Sequence, residues 1–535
     1  MTEAQSYDVV VVGAGFSGLY LLHRLREAGQ SVRVFEAGAG VGGTWFWNRY
    51  PGARVDIESQ EYAYSFSPEL DAEWKWTERY AAQPELLAYL NHVADRFDLR
   101  GDIQLQTRVT SAVWDEEARR WTVATDRGDR VSARHVVMAT GCLSTPKDDA
   151  ELPGSDSFRG SSWHTGRWPE GGVDFTGKTV AVIGTGSSAI QSIPKIAEQA
   201  AHVTVFQRTP NFSVPAHNGP ADPAVMADWA AHREQYRREA REVGFGIRSI
   251  GITETPALTV SPEARQAAFE ERWRYGGFAL LGAFNDLIVD PEANVTAAEF
   301  VRGKIREIVQ DPATAEKLSP KTYPIGTKRI CVDTGYYATF NRDNVSLVDL
   351  TEEPIERVTP AGVKTSAREY EVDAIVYAIG FDAMTGALDK IDIRGRGGAR
   401  LKDAWAGGPG TYLGLMVAGF PNLFLVTGPG SPSVLCNMAV AIEQHVEWIS
   451  DCIAWMSERQ AASIEATPAA QAEWVAHVNE VAEATLFPRA NSWYMGANVP
   501  GKPRVFMPYI GGFPIYRDKC REVAVAGYEG CVVSG

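Results

Sequence analysis

Two stretches of this chain repeat one local order: an apolar strand, a glycine-spaced turn, an amphipathic helix and a second apolar strand. In the first, Tyr7 to Val12 reads as a buried parallel strand. It runs into Gly13-Ala-Gly15-Phe-Ser-Gly18, the helical stretch from Leu19, the strand Ser31 to Phe35, and then Glu36. Gly13 permits the tight turn, Gly15 lets a pyrophosphate approach the backbone, and Gly18 lets the helix pack on the strand. Glu36 lies 23 residues beyond Gly13, where a carboxylate can accept hydrogen bonds from ribose hydroxyls. A lone glycine pattern is weak, but this one has its full strand–turn–helix–strand context.

The second unit is Lys178 to Ile183, Gly184-Thr-Gly186-Ser-Ser-Ala189, a helix over Ile190 to Ala200 and a strand over His202 to Phe206. Ala189 replaces the third glycine and still allows close packing. The strand then ends on Gln207-Arg208-Thr209, with no acid, and Arg208 lies 24 residues beyond Gly184. A carboxylate would repel a 2′-phosphate, whereas a guanidinium binds it through paired charge-assisted hydrogen bonds. The first site therefore reads as FAD and the second as NADPH; the plainer alternative for Arg208 is a solvated strand end. Each unit is closed by a similar strand, Arg134 to Ala139-Thr-Gly141 and Asp373 to Ala378-Ile-Gly380, where small residues permit close backbone approach. Two such sites in one chain imply hydride transfer between cofactors.

Composition narrows what remains. The 535 residues predict several domains. With 52 Lys+Arg against 67 Asp+Glu, the net charge of -15 argues against a nucleic-acid partner. No apolar run approaches the ~20 residues that cross a bilayer, and the polar opening from Met1 is not a signal peptide. The cysteines at 142, 331, 436, 452, 520 and 531 form no Cys-x-x-Cys pair, which fits a reduced cytoplasm and excludes a zinc ribbon. No metal site is expected.

Two further stretches carry chemistry. Gly42-Gly43-Thr44-Trp45-Phe-Trp47-Asn-Arg49-Tyr50-Pro51-Gly52-Ala-Arg54-Val-Asp56 can cover a flat ring system and place charge against it. Phe158-Arg-Gly160-Ser-Ser-Trp-His164-Thr-Gly-Arg-Trp168-Pro169 lies between the nucleotide units. No partner stands at metal-ligand spacing from His164, and taken alone it fits a hydrogen-bonded structural histidine better than a catalyst.

The pattern FxGxxxHxxxWP, filled by Phe158, Gly160, His164, Trp168 and Pro169, resembles the fingerprint of flavin-dependent Baeyer–Villiger monooxygenases. The loop Gly42 to Asp56 resembles that family's GGxWxxxxYPGxxxD signature, and the likeness extends over nearly the whole chain, through Lys328-Arg329, Gly380-Phe381-Asp382 and Asn491 to Gly501. The resemblance implies an α/β fold with two Rossmann-like dinucleotide-binding domains and an inserted helical subdomain. The expected boundaries are 1–144 and 385–535 for FAD, 145–215 and 325–384 for NADP, and 216–324 for the insert. Within the insert, Asp222 to Val243 and Pro262 to Tyr275 read as helices. Met438 to Met456 reads as a core helix against the flavin domain.

The activity it implies is oxidation of a ketone to an ester or lactone by NADPH and dioxygen through a flavin peroxide. Arg329 matches the catalytic arginine and Asp56 the acid that orients it. An always-charged guanidinium suits a developing oxyanion, while an interdomain salt bridge is the plainer reading. Lys328, Arg208 and Thr209 match the grip on the 2′-phosphate, and Trp493 matches a tryptophan on the nicotinamide side. Gly43, Thr44, Trp45, Tyr62, Ser187, Ser188 and Gln191 complete the expected cofactor-binding set. For His164 the resemblance favours a hinge or orienting role. The loop around Ser433, Val434, Leu435, Cys436 and Met438 resembles the phenylacetone and steroid branch, implying aryl, bulky or polycyclic ketones; for Cys436 a plain packing thiol is equally compatible. Sulfoxidation is an expected side activity, oxygenation mainly at sulfur or nitrogen the alternative, and a cytoplasmic monomer the expected state.

Overall fold

The computed structural model describes residues 5–147 and 152–535. Residues 1–4, in the polar opening, and 148–151, early in the stretch assigned to NADP, lie outside the described residues.

Ser6–Val12 pairs parallel with Val32–Phe35 on one side and Arg130–Met138 on the other. Val9, Val10 and Val11 are wholly buried, because both faces of a parallel strand are covered by other elements. Around this centre lies an eight-stranded sheet. It ends on Ile103–Gln104 at one edge and runs through Arg120–Thr125 and Val109–Asp115 to Asp392–Arg394 at the other. Arg130–Met138 serves two neighbours in succession: its first half pairs antiparallel with Arg120–Thr125, its second half parallel with Leu423–Leu425. The chain thus returns to its first sheet only after completing a second. That sheet has five strands, all parallel, in the order Val345–Asp349, His202–Gln207, Thr179–Ile183, Ala374–Tyr377, Ser161–His164.

The helices after the two glycine turns are Phe16–Glu27 and Ser187–Ala197. Their N-cap residues, Gly15 and Gly186, are extended and make no side-chain cap, so the first backbone N–H groups stay open for another partner. The second helix starts at Ser187 and not at Ile190, because its first turn is polar and leaves no apolar periodicity to read. Between Pro215 and Cys331 the described residues form helices and short 3₁₀ turns. Pro223–Glu242 and Pro262–Tyr275 match the expected pair, and Pro291–Ile308 and Pro312–Leu318 are additional. All four share one start signal: Asp222, Ser261, Asp290 or Asp311 caps the helix and proline follows. Met438–Glu458 lies along Phe16–Glu27, with Arg24 reaching Asp451 at 2.6 Å.

The two closing strands press on the glycine turns. Gly13 has φ +107°, and a Cβ there would meet the Ala139 carbonyl oxygen at 2.5 Å. Gly184, at φ +112°, repeats this against the Ala378 carbonyl. Gly186 differs: its backbone is ordinary and nothing lies within 4 Å of a Cβ built on it. Gly13→Ala should therefore cost more than about 2 kcal/mol of stability through strain and overlap, whereas Gly186→Ala should melt at the parent temperature. Equal thermal melting of the two variants would refute this division.

Candidate active site

A cavity of about 350 Å³ extends from the first glycine turn to the start of the helix in the second unit. Its lining includes Gly13, Gly15 and Glu36 of the first unit, Gly43, Thr44, Trp45, Asp56 and Tyr62 of the segment that follows, and Ser187, Gln191, Arg329, Val434, Met438 and Trp493 from later in the chain. Each Glu36 oxygen accepts one backbone N–H, from Ala14 at 2.7 Å and Gly38 at 2.6 Å. Burial raises its pKa despite these bonds, and each oxygen keeps a further lone pair for a hydroxyl. Gly18 lies beneath the turn, where a Cβ would collide with the Gly13 carbonyl. A side-chain-free cradle, open helix N–H groups and a buried acid at its rim fit an FAD ribose and pyrophosphate.

Arg329 and Asp56, 273 residues apart in sequence, meet at the cavity wall. Nε donates to Oδ2 at 2.6 Å and Nη2 to Oδ1 at 2.8 Å, a two-pronged pair. Nη1 donates to the Val434 carbonyl at 2.7 Å, and the Phe278 ring centroid lies 4.9 Å from the guanidinium carbon. Burial would lower the Arg329 pKa, but the Asp56 carboxylate outweighs it and raises it further. The cation is therefore permanent.

Next to Arg329 the charge logic reverses. Burial and then the nearby Arg208 guanidinium lower the Lys328 pKa to about 8, with no carboxylate offsetting either. Lys328 Nζ sits 4.4 Å from the Tyr323 ring centroid. Arg208 is exposed just beyond His202–Gln207, and the Thr209 carbonyl accepts the Thr185 hydroxyl at 2.8 Å. Two cations held together without an acid are costly unless a dianion joins them. Together with the bare Gly184-Thr-Gly186 turn, this donor set fits the 2′-phosphate and pyrophosphate of NADPH.

Other expected site residues are engaged by neighbouring groups of the protein. The Gln191 side chain takes the Tyr50 hydroxyl at 2.9 Å and donates to the Arg54 carbonyl at 3.1 Å, so it ties the Gly42–Asp56 loop to the second helix. Ser188 pairs with the Thr165 hydroxyl at 3.1 Å. The fingerprint residues Phe158, Gly160, His164, Trp168 and Pro169 stand outside the cavity lining; only Gly166, inside the pattern, reaches it. Ser161–His164 is the edge strand beside Ala374–Tyr377. His164 Nδ1 accepts the Gly166 N–H at 2.9 Å, which fixes that nitrogen as unprotonated. Burial and then Arg167 hold the His164 pKa down to about 4. Trp168 packs between Trp163 and Phe175.

In the 433–438 loop, Ser433 donates to Met384 Sδ at 3.7 Å and Leu435 joins an apolar cluster with Trp493 and Met495. Cys436 corrects an expectation. Its thiol does not line the cavity but is buried with Val440, Ala441 and Phe513, against Gly246. Its neighbour Asn437 caps the following helix and turns the chain away. Sequence reasoning missed Phe278 and Cys142. Cys142 follows the closing strand into the cavity wall. The pair Gly276-Gly277 before Phe278 was its only sequence signal. Among the described residues no group of three or more His, Cys, Asp or Glu is arranged to hold a metal, and no helix is long and apolar enough to cross a membrane.

Comparison with known proteins accords with this geometry. The family model described as pyridine nucleotide-disulphide oxidoreductase matches residues 10–225. A Baeyer–Villiger monooxygenase of Pseudooceanicola batsensis is 43% identical over 99% of this chain and 97% of its own length. A phenazine N-monooxygenase of Lysobacter antibioticus is 44% identical over 98% and 97%. The solved structure of an oxidized steroid monooxygenase bound to NADP is 57% identical, covers 99% of this chain and 100% of its own, and superposes with a TM-score of 0.95. With the paired nucleotide cradles and the Arg329–Asp56 pair already in place, these matches show that the chain belongs to the Baeyer–Villiger monooxygenases, NADPH-dependent flavoenzymes that use FAD and act on ketones.

Proposed function

We propose that the chain oxidises aryl, bulky or polycyclic ketones to esters or lactones, with Arg329 as the catalytic cation and Asp56 as the residue that aims it. The observation that carries this reading is the two-pronged Arg329–Asp56 pair at the cavity wall. When bound, FAD supplies dioxygen activation and NADPH supplies the hydride. Arg329 stabilises the negative charge that grows on the ketone oxygen, in a site from which water is excluded. Asp56 holds the guanidinium plane and offsets its desolvation. Lys328 and Arg208, with Thr209, hold the 2′-phosphate; Glu36 holds the FAD ribose; Trp493 covers the nicotinamide side. Residues 1–144 and 385–535 are assigned to the FAD domain, 145–215 and 325–384 to the NADP domain, and 216–324 to the inserted helical subdomain.

The bulky-ketone reading draws on the apolar walls formed by Leu143, Val434, Met438, Ile442 and Trp493, and on the 57% identity to a protein named for steroids. One relative acts on a phenazine nitrogen, which keeps heteroatom oxygenation as the second reading and sulfoxidation as a side activity. Oxygen transfer to nitrogen or sulfur builds no oxyanion on the substrate and has no need for Arg329. The free cysteines fit a reducing cytoplasm, and the enzyme is taken to act as a monomer.

Three measurements test this. A panel of aryl, polycyclic and small cyclic ketones, with products identified by mass, should give the highest kcat/KM for the bulky members; preference for cyclohexanone would overturn the substrate class. Arg329→Ala should still oxidise NADPH yet lose at least about a hundredfold in ester yield, and normal ester formation would remove its role. At the 2′-phosphate grip, Lys328 is charged below pH 8 and neutral above it. The Kd for NADP⁺ should therefore rise from pH 7 to 9, by up to about tenfold per unit above the pKa, while that for NAD⁺ stays flat. Lys328→Arg should flatten the profile, and Arg208→Ala should raise the KM for NADPH far more than that for NADH. Parallel NADP⁺ and NAD⁺ profiles would rule the contact out.

A further inference from the structure

Each turnover of a ketone oxygenation takes NADPH, a proton, dioxygen and the ketone to NADP⁺, water and the ester. A cavity that works only when bulk water is kept out must therefore still pass a proton inward and a water molecule outward. A second cavity, of about 440 Å³, is lined by Arg54, Thr77, Glu78, Asn218, Gly219 and Pro220. Most of these side chains are polar, and the space is far larger than the ~10–15 Å³ that one water needs. It shares one residue with the active-site cavity, and that residue is Arg54.

The backbone of Arg54 is fixed. It bridges Ala82 in an antiparallel contact, its carbonyl accepts the Gln191 amide at 3.1 Å, and its neighbours Ala53 and Val55 pair with Gln83 and Ala81 at 2.8 and 3.1 Å. The side chain, in contrast, is held by one nitrogen. Nη1 donates to Glu78 Oε2 at 2.7 Å and to the Tyr80 carbonyl at 3.1 Å, while the buried Nε has no partner. Asn218 steadies the acceptor, donating to the same Glu78 oxygen at 2.7 Å and taking the Tyr80 N–H at 2.9 Å. Exposure falls along this line, from 36% for the Glu78 side chain to 14% for that of Arg54. An ion pair that solvent already reaches is cheap to open. The guanidinium can leave it without disturbing Asp56, two residues on, since the backbone between them stays paired.

We propose that the second cavity is a water portal of the active site and that the Arg54 side chain is its gate. Closed on Glu78, the long arm stands between the two cavities; swung out, it joins them by a path along Thr77, Glu78 and Asn218, through which water leaves and protons are relayed. The inference rests on the reading of the first cavity as the site of ketone oxygenation.

The test uses purified FAD-loaded enzyme with NADP⁺ bound. Iodide quenching of flavin fluorescence reads solvent access without turnover, and hydrogen peroxide formed per NADPH reads the coupling lost when water enters. Arg54→Ala and Arg54→Met remove the same charge and differ in bulk. Arg54→Ala should keep its FAD and hold the KM for NADPH within about twofold, yet raise the quenching constant and the hydrogen peroxide per NADPH at least about threefold. Arg54→Met should stay near the parent in both. Gly219 supplies the converse: its backbone is not left-handed and a Cβ built on it has nothing within 4 Å, so a phenylalanine there can fill the second cavity without strain. Adding Gly219→Phe to Arg54→Ala should return both readouts to near parental values. Glu78→Ala, which frees the arm without removing it, should raise both by less, and it carries the test if Arg54→Ala does not fold. Parental quenching in both Arg54→Ala and Glu78→Ala, equal quenching in Arg54→Ala and Arg54→Met, or no recovery on adding Gly219→Phe would overturn the portal. Absence of ester from the parent enzyme would instead overturn the reading beneath it, so the two failures are distinguishable.

Discussion

The pair between Arg329 and Asp56 is the contact on which the rest of the site turns. Asp56 ends the loop that follows the first nucleotide unit, and Arg329 follows the helical insert that interrupts the second. Neither side chain would be stable alone where it stands, since an unpaired charge at a largely buried position is strongly penalised. The pair is formed only when loop, insert and second sheet are all in place. It therefore acts as a joint between segments as well as a source of charge. Gln191, bridging Tyr50 and the Arg54 carbonyl, braces the same loop from the other side, so the acid that aims Arg329 is itself held at two points.

What could be read from sequence follows what is local. Both strand–glycine–helix units were visible because strand, turn and helix are contiguous in the chain, and Gly13 and Gly184 answer to the ends of adjacent strands. Arg208 stood out by replacing an acid at a fixed distance from a glycine turn. The helix over 187–197 was displaced by three residues at its start because Ser187 and Ser188 carry no apolar period. Two helices of the insert were passed over although Asp290-Pro291 and Asp311-Pro312 mark their starts. Phe278 could not be found this way. Its partner lies in another segment, and one aromatic among many carries no local mark of the cation it will touch. Cys436 shows the opposite limit: a place in a loop says little about which way a thiol points once the next residue, Asn437, caps a helix.

The charge of the chain reads differently at two scales. Overall it is acidic, at -15, which repels polyanions at long range. Locally, the Arg208 guanidinium acts on Lys328 with no carboxylate offsetting it. A small dianion reaching that pair replaces a repulsion by two attractions. Under the proposed assignment, such a pair would favour NADPH over NADH without any change in the net charge of the surface.

The fingerprint segment gains a physical meaning from where it sits. None of its defining side chains reaches the cavity, yet His164, Thr165 and Gly166 link the edge of the second sheet to the second helix start through the Thr165–Ser188 contact. With Nδ1 accepting the Gly166 N–H and its pKa held near 4, His164 stays neutral across the physiological range. A proton-transfer role at neutral pH is therefore poorly matched to it. Its ring lies against Phe381, which itself lines the cavity. A motif composed of one orienting histidine, one glycine without room for a Cβ and two packed aromatics is suited to holding Gly166, Ser188 and Phe381 in register. The specificity of the pattern then reflects how tightly the edge of the second sheet is joined to the second helix start and to the cavity wall.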